Sequence, residues 1–211
     1  MTDEREALIE AMARSCIDRG YAETTIEGVA SSAGCSPSDF HRHFETLEEC
    51  ALAAVDTILA EGMRCVASAY GADHSESESA LQALKAMLEL FASRPAFASL
   101  AFIDTRQAMP SRAHERYRWG FAILTAMLDR LREGGGNPAP PSAARAAIGG
   151  GEALVRRELA AGRGDRLPRF LPDLVYSAAV SFLGRREALR LAREARALLE
   201  AGPDDESAQS S

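Results

Sequence analysis

The sequence predicts an all-α protein with a small N-terminal helix-turn-helix unit and a larger helical C-terminal part, about nine or ten helices in total. Three observations predict it. Apolar residues recur at three- and four-residue spacing along almost the whole chain, with no sustained two-residue alternation. Helix-capping residues and glycine stops punctuate that pattern. Two short helical stretches near the N-terminus are joined by a glycine-containing turn.

The first helix is expected at 3–19, with Leu8, Ile9, Met12, Cys16 and Ile17 on one side and Gly20 as its stop. Thr24 or Thr25 caps a second helix at 25–33, and Thr24 with Glu27 three residues on approximates a capping box. Ile26, Val29, Ala30 and Ala33 face inward there. Gly34-Cys35-Ser36 forms a tight turn. Ser36 then caps a third short helix, with Pro37 in its favoured first position, running to about Phe44. Thr46 opens a fourth helix to about Tyr70, with the row Ala51, Val55, Ile58, Leu59, Met63 and Val66. Further helices are expected at 76–92, 95–108, 110–133, 142–162, 168–183 and 185–200. The run at 134–141, GGGNPAPP, is the clearest linker. The expected domains are therefore 1–47, with the helix-turn-helix at 25–44, and 48–201. A polar tail, 202–211, is expected to be disordered.

Composition narrows the function classes. The net charge is −7, and residues 1–50 hold four basic against eleven acidic side chains, so residues 51–211 balance to zero. The four cysteines, Cys16, Cys35, Cys50 and Cys65, have no metal-binding spacing and fall at apolar positions. No apolar run approaches the roughly 20 residues that span a bilayer. The start is acidic and unlike a secretory signal, so a cytoplasmic location is expected and no membrane partner. There is no nucleophile elbow, phosphate loop or metal motif, and the four histidines are scattered. No catalytic residues, metal or cofactor are assigned.

The helix-turn-helix carries the functional reading. Its second helix must be short and exposed to lie in a major groove, and the first must hold it through small packed residues. Ala30 and Ala33 are small, Cys35 and Phe40 fill the space between the helices, and Ser38, Asp39, His41 and Arg42 point outward. Residues 5–50 at this point resemble the N-terminal domain of the TetR family. The shared elements are Gly20-Tyr21, Thr24-Thr25, Val29-Ala30, Ala33-Gly34, Ser36, His43-Phe44, Thr46 and Glu48. The resemblance implies a recognition helix at 36–43 and DNA contacts from Thr25, Ser36, Pro37, Ser38, Asp39, His41, Arg42, His43 and Thr46. It also implies a homodimer whose interface, at about 142–183, is a four-helix bundle. The apolar stripe of the helix at 168–183 supports that placement. So do Gly149-Gly150-Gly151 in mid-helix, where a close backbone approach would justify three glycines. Two departures remove phosphate contacts: His41 stands where the family usually has tyrosine, and Leu47 where it usually has lysine.

The region 60–130 is rich in methionine and aromatic side chains suited to an apolar or amphipathic ligand. Met63, Met87, Phe91, Phe102, Arg106, Tyr117 and Phe121 are the candidate ligand residues. The reading is a one-component, ligand-responsive regulator, a repressor in expectation, that binds palindromic double-stranded operator DNA as a homodimer. The alternative is a helical protein of the same type with weak or lost DNA binding that acts through protein partners. Phosphate contacts supply the sequence-independent part of DNA affinity. With so few cations on the DNA-facing unit, weak non-specific binding and a shallow salt dependence are expected. Fluorescence anisotropy across a salt series checks this, and a slope as steep as that of a strongly basic repressor contradicts it.

Overall fold

The computed structural model describes residues 3–70, 75–108, 125, 128, 140 and 142–201, and only the backbone of 106 and 107. All of its regular elements are helical, with no strand among the described residues. The expected helix at 110–133, most of the linker at 134–141 and the tail at 202–211 lie outside the described residues.

α1 (Glu4–Arg19) starts at Asp3, whose carboxylate accepts from the Arg5 N–H, and stops at Gly20. Leu8, Ile9, Met12 and Cys16 are buried as expected, but Ile17 is 45% exposed. Ile17 sits at the edge of the buried stripe in the last turn, where no element covers it. A short 3₁₀ turn (Tyr21–Glu23) leads to α2 (Ile26–Ala33). Thr25 is the cap, its Oγ1 accepting from the Gly28 N–H at 3.1 Å. Thr24 is instead buried, and its hydroxyl donates back to the Gly20 carbonyl at 2.9 Å. The expected Thr24–Glu27 capping box is therefore replaced by a Thr25 cap.

α3 (Pro37–His43) and α4 (Leu47–Tyr70) complete the N-terminal unit and leave it. α4 buries Cys50, Ala51, Leu52, Ala54, Val55 and Ile58 against the same core as α1, and then packs along α5 (Glu76–Ser93). Ser75 and Glu78 form a reciprocal capping box that starts α5. α6 (Pro95–Ser99) follows after Arg94. One straight helix was the expectation for 95–108. The chain instead makes a π-helical turn at Leu100–Asp104 before α7 (Thr105–Ala108). The wider turn re-aims successive side chains. Leu100 and Ala101 stay buried, Phe102 packs edge-to-face on Phe91 at 5.1 Å, and Asp104 reaches the Tyr21 N–H at 3.3 Å.

α8 (Ala143–Ala160) precedes a 3₁₀ stretch at Gly164–Phe170, so the next helix begins three residues later than expected. α9 (Leu171–Glu200) is two helices meeting at Gly184, whose φ of 78° breaks the helix where the sequence reading placed the boundary. Glycine is the residue that adopts such a φ without strain. The close backbone approach expected at the three glycines is met within the chain only at Gly151. A side chain there would meet Leu174 at 3.5 Å, while Gly149 and Gly150 are exposed, with nothing within 4 Å among the described residues. No single helix among the described residues is long and apolar enough to cross a membrane.

One polar knot ties the N-terminal unit to the rest. Arg94, between α5 and α6, pairs with Glu10 of α1 and with Glu61 of α4. Its guanidinium also lies 4.0 Å from the centre of the Phe97 ring. All three charged side chains are only partly exposed, so screening is incomplete. Replacing Arg94 would leave two carboxylates facing each other. Arg94→Gln is expected to destabilise the chain by about 2 kcal/mol, measured as a lowered midpoint in urea unfolding with unchanged slope.

Candidate nucleic-acid interface

α2, the turn and α3 are built for exposure of one short helix. Gly34 adopts the left-handed conformation at φ 76°, and the Cys35 N–H donates to the Ala30 carbonyl at 3.0 Å. That pair of features is a Schellman-type stop, which ends α2 and redirects the chain at once. Ser36 then caps α3. Its Oγ accepts from the Asp39 N–H at 3.2 Å, while Asp39 Oδ2 accepts from both the Ser36 N–H and the Ser36 hydroxyl at 2.8 Å. This capping box satisfies donors that a seven-residue helix would otherwise leave bare.

Phe40 anchors the helix. It is fully buried, and its ring packs against Phe44 at 5.7 Å, with Val29, Ala30, Leu8 and Cys50 in the same core. Cys35 is half-buried at the turn and packs against that core. Ser36, Pro37, Ser38, His41 and Arg42 are exposed, and Asp39 and His43 are half-buried. Thr25 and Thr46, at the starts of α2 and α4, are exposed as well. The nine residues singled out in the sequence therefore all belong to α3, its cap or two neighbouring helix starts.

The electrostatics differ from the outward display that the sequence suggested. Asp39 is occupied locally. Its hydrogen bonds from the Ser36 backbone and side chain, and the nearby Arg42, hold its carboxyl below the usual carboxylate range. Arg42 Nη2 lies 2.9 Å from Asp39 Oδ1 and also 2.9 Å from Glu4 Oε2. The Nε2 of His43 lies 3.2 Å from that same Glu4 oxygen. At the start of α4, Thr46 Oγ1 accepts from the Glu49 N–H at 3.2 Å, and Glu49 Oε2 accepts from the Glu45 N–H at 2.9 Å. Backbone donors beside the expected phosphate seat are thus partly taken by the chain itself. The sequence reading missed Glu4. Its only signal was an acidic residue in the first turn of a helix, which capping alone explains.

The cysteine thiols carry no reactive signature in the interior. Burial pushes Cys16 and Cys50 up to about 12. Among the described residues, no group of three histidine, cysteine, aspartate or glutamate side chains could hold a metal ion.

A second feature lies between α5, the π-helical turn, α8 and α9. An almost wholly apolar cavity of about 190 Å³ is lined by Leu84, Met87, Phe91, Phe102, Val155, Leu174 and neighbours, with Glu152 at its wall. Three of the candidate ligand residues, Met87, Phe91 and Phe102, come together there. Met63, half-buried on α4, is not in the lining. Tyr117, Phe121 and the side chain of Arg106 lie outside the described residues.

The capping box gives a pH signature of known sign. Asp39 binds its proton less readily when folded, so its contribution is present above the ordinary carboxylate range and is lost as pH falls below about 4. The stability difference between the wild type and Asp39→Asn is expected at pH 7 and should close on acidification. Ser36→Ala should cost about 1 kcal/mol. Urea unfolding at a series of pH values measures both.

Residues 8–54 match the family model for bacterial regulatory proteins of the tetR family. No curated protein matches the chain in sequence. Among solved structures, the fatty acid degradation regulator FadR from Bacillus halodurans superposes with a TM-score of 0.75 at 13% identity, covering 88% of this chain and 98% of its own. The TetR family protein CprB from S. coelicolor A3(2) gives 0.68 at 22% identity, with 92% and 96% covered. AibR, solved with isovaleryl coenzyme A and operator DNA, gives 0.60 at 15% identity, with 74% and 86% covered. Residues 8–54 are thus similar to the N-terminal domain of bacterial regulatory proteins of the tetR family, and the chain as a whole shares the fold of these solved structures.

Proposed function

We propose that this chain is a ligand-responsive transcriptional repressor that binds palindromic operator DNA as a homodimer. The observation that carries the reading is α3: a seven-residue helix, capped at its start, anchored by one buried phenylalanine, with its other side chains exposed or half-buried. A short rod of that kind suits insertion into a major groove. In this reading Ser38 and His41 are assigned to base edges, Thr25, Ser36, Pro37, Arg42, His43 and Thr46 to the flanking backbone, and Asp39 chiefly to the cap.

Two copies of α3 must be held about one duplex turn apart, near 34 Å, to read a palindrome. The groove between α8 and the first half of α9 supports a dimer there. It is walled by Ala143, Ala146, Ala147, Gly150 and Leu154 on one side and by Leu174, Ser177 and Ser181 on the other. Among the described residues nothing lies within 4 Å of where a side chain at Gly149 or Gly150 would start, which favours close approach of a partner helix. The remaining helix stripe is used inside the chain: Leu171, Val175, Ala179 and Phe182 are buried.

The apolar cavity supports binding of a small apolar or amphipathic molecule. Its aromatic pair Phe91–Phe102 is directly joined to the N-terminal unit. Phe91 is three residues before Arg94, which holds Glu10, and Phe102 is two before Asp104, which holds the Tyr21 N–H. A ligand that repacks this pair changes the seating of α1 and with it the distance between two copies of α3. Linkage then requires DNA affinity to change by the same coupling factor, typically about 1–3 kcal/mol. AibR, solved with isovaleryl coenzyme A, offers a precedent of an acyl ligand on this fold.

The acidic balance of residues 1–50 favours the second reading, a protein of this fold that acts through protein partners. One experiment separates the two. The reading expects a dimer by sedimentation and a gel shift with the DNA upstream of the chain's own gene. Gly150→Arg, at a position exposed within one chain, should yield a folded monomer that no longer shifts that DNA. A wild type that fails to shift it supports the second reading, and a dimeric Gly150→Arg removes the α8–α9 face from the interface.

A further inference from the structure

We propose that Glu4 attenuates DNA binding: it occupies Arg42 and His43 in the DNA-free chain and so weakens sequence-independent binding to phosphate. The inference rests on the reading of α3 as the DNA-facing helix. It starts from a scarcity. Residues 1–50 contain only Arg5, Arg14, Arg19 and Arg42 as fixed positive charges. Arg5 lies over the Phe44 ring at 5.1 Å, and Arg14 lies 3.8 Å from Glu10. Arg42 is the one arginine on the recognition helix, and it is held by two carboxylates.

The two carboxylates do different things. Asp39 is committed to capping α3 through Ser36, so its bond to Arg42 is local, within one helix turn. Glu4 reaches across from α1, thirty-eight residues away in sequence. A single oxygen, Oε2, takes both Arg42 Nη2 at 2.9 Å and His43 Nε2 at 3.2 Å. Glu4 therefore sits where a backbone phosphate oxygen would sit to receive the same two donors. It mimics the ligand of the helix's C-terminal end.

Magnitudes show that this contact is a competitor and not a lock. Arg42 is 61% exposed and Glu4 53% exposed, and an ion pair that open contributes at most about 1 kcal/mol. Duplex DNA can displace it, but each encounter must first break it. The cost falls on phosphate contacts alone, which supply affinity without sequence information. Ser38 and His41, which the proposed function gives to the bases, are exposed and make no bond to Glu4 among the described contacts. The net effect is to weaken binding to every sequence by a similar factor while leaving base readout intact.

The test uses the full-length chain and a mixed-sequence DNA duplex, with fluorescence anisotropy across a salt series. Glu4→Gln keeps the side-chain shape and removes the charge. It should bind the duplex about fivefold tighter, with a salt slope steeper by about one counterion. In an Arg42→Gln background the same substitution should give no such gain. Asp3→Asn is the charge control, since it removes a carboxylate from the adjacent residue, one that does not pair with Arg42 and whose capping role asparagine retains. The proposal is overturned if Glu4→Gln binds no better than wild type, if it gains no more than Asp3→Asn, or if the gain persists without Arg42. If neither the wild type nor any variant binds duplex at low salt, the reading of α3 as a DNA-binding helix falls as well. A wild type that binds while Glu4→Gln gains nothing removes only the role of Glu4.

Discussion

Seven residues are too few to hold a helix in water, because the nucleation cost is not recovered in so few hydrogen bonds. α3 persists because one side chain is anchored and one end is capped. Phe40 supplies the anchor, fully buried in a core shared by α1, α2 and α4. Ser36 and Asp39 supply the cap. Everything that α3 presents to the outside depends on those two contributions, since its remaining side chains have little to pack against. The design follows from use: a helix that must enter a groove cannot bury its outer face, so its stability has to come from one residue inward and from its own N-terminus.

The same constraint explains why acidic residues crowd a surface that the proposed function turns toward a polyanion. Three of the carboxylates near α3 have structural work. Asp3 starts α1, Asp39 starts α3, and Glu49 satisfies the backbone at the entrance to α4. Carboxylates are favourable at helix N-termini, and this unit packs several helix starts into a small volume. Part of the acid excess is thus the by-product of capping helix starts. Its consequence for DNA is real, because the resulting field opposes phosphate and the few arginines are drawn into internal pairs.

Much of this was legible in the amino-acid order. Gly20, Gly34, Ser36-Pro37 and Thr46 mark the ends of the first helices, and Gly184 marks the break in α9, because caps and stops are local events written in adjacent residues. Phe40 was legible as an anchor because it is the single large apolar residue within α3. What was not legible depends on residues far apart in sequence. The π-helical turn at Leu100–Asp104 has no local signature, being one extra residue in a pattern that reads equally well as continuous helix. The Thr24 hydroxyl turned inward to Gly20 because the adjacent Thr25 was better placed to cap, a choice between neighbours that spacing alone leaves open. Met63 fell outside the cavity because helical periodicity assigns a face without saying which neighbour that face meets.

Long-range polar contacts are the part that sequence reading reaches least, and they are also the part that joins the two halves of the chain. Arg94 pairs with residues 84 and 33 positions earlier, and Asp104 accepts from a backbone N–H 83 positions earlier. Burial pushes the Asp104 carboxyl upward, which the Tyr21 N–H partly offsets. A half-buried carboxylate of that kind is a poor choice for stability alone, since an apolar side chain would avoid the desolvation cost. Its position two residues after Phe102 gives it another use. The cavity-lining aromatics and the polar ties to α1 and Tyr21 lie on the same short stretch of backbone, Phe91 to Asp104. Apolar packing on one side and directional bonds on the other make that stretch responsive. Under the proposed function, a molecule filling the cavity would shift the aromatics, and the hydrogen bonds and ion pairs, being sensitive to distance and angle, would convert the shift into a change in how the helix-turn-helix is held.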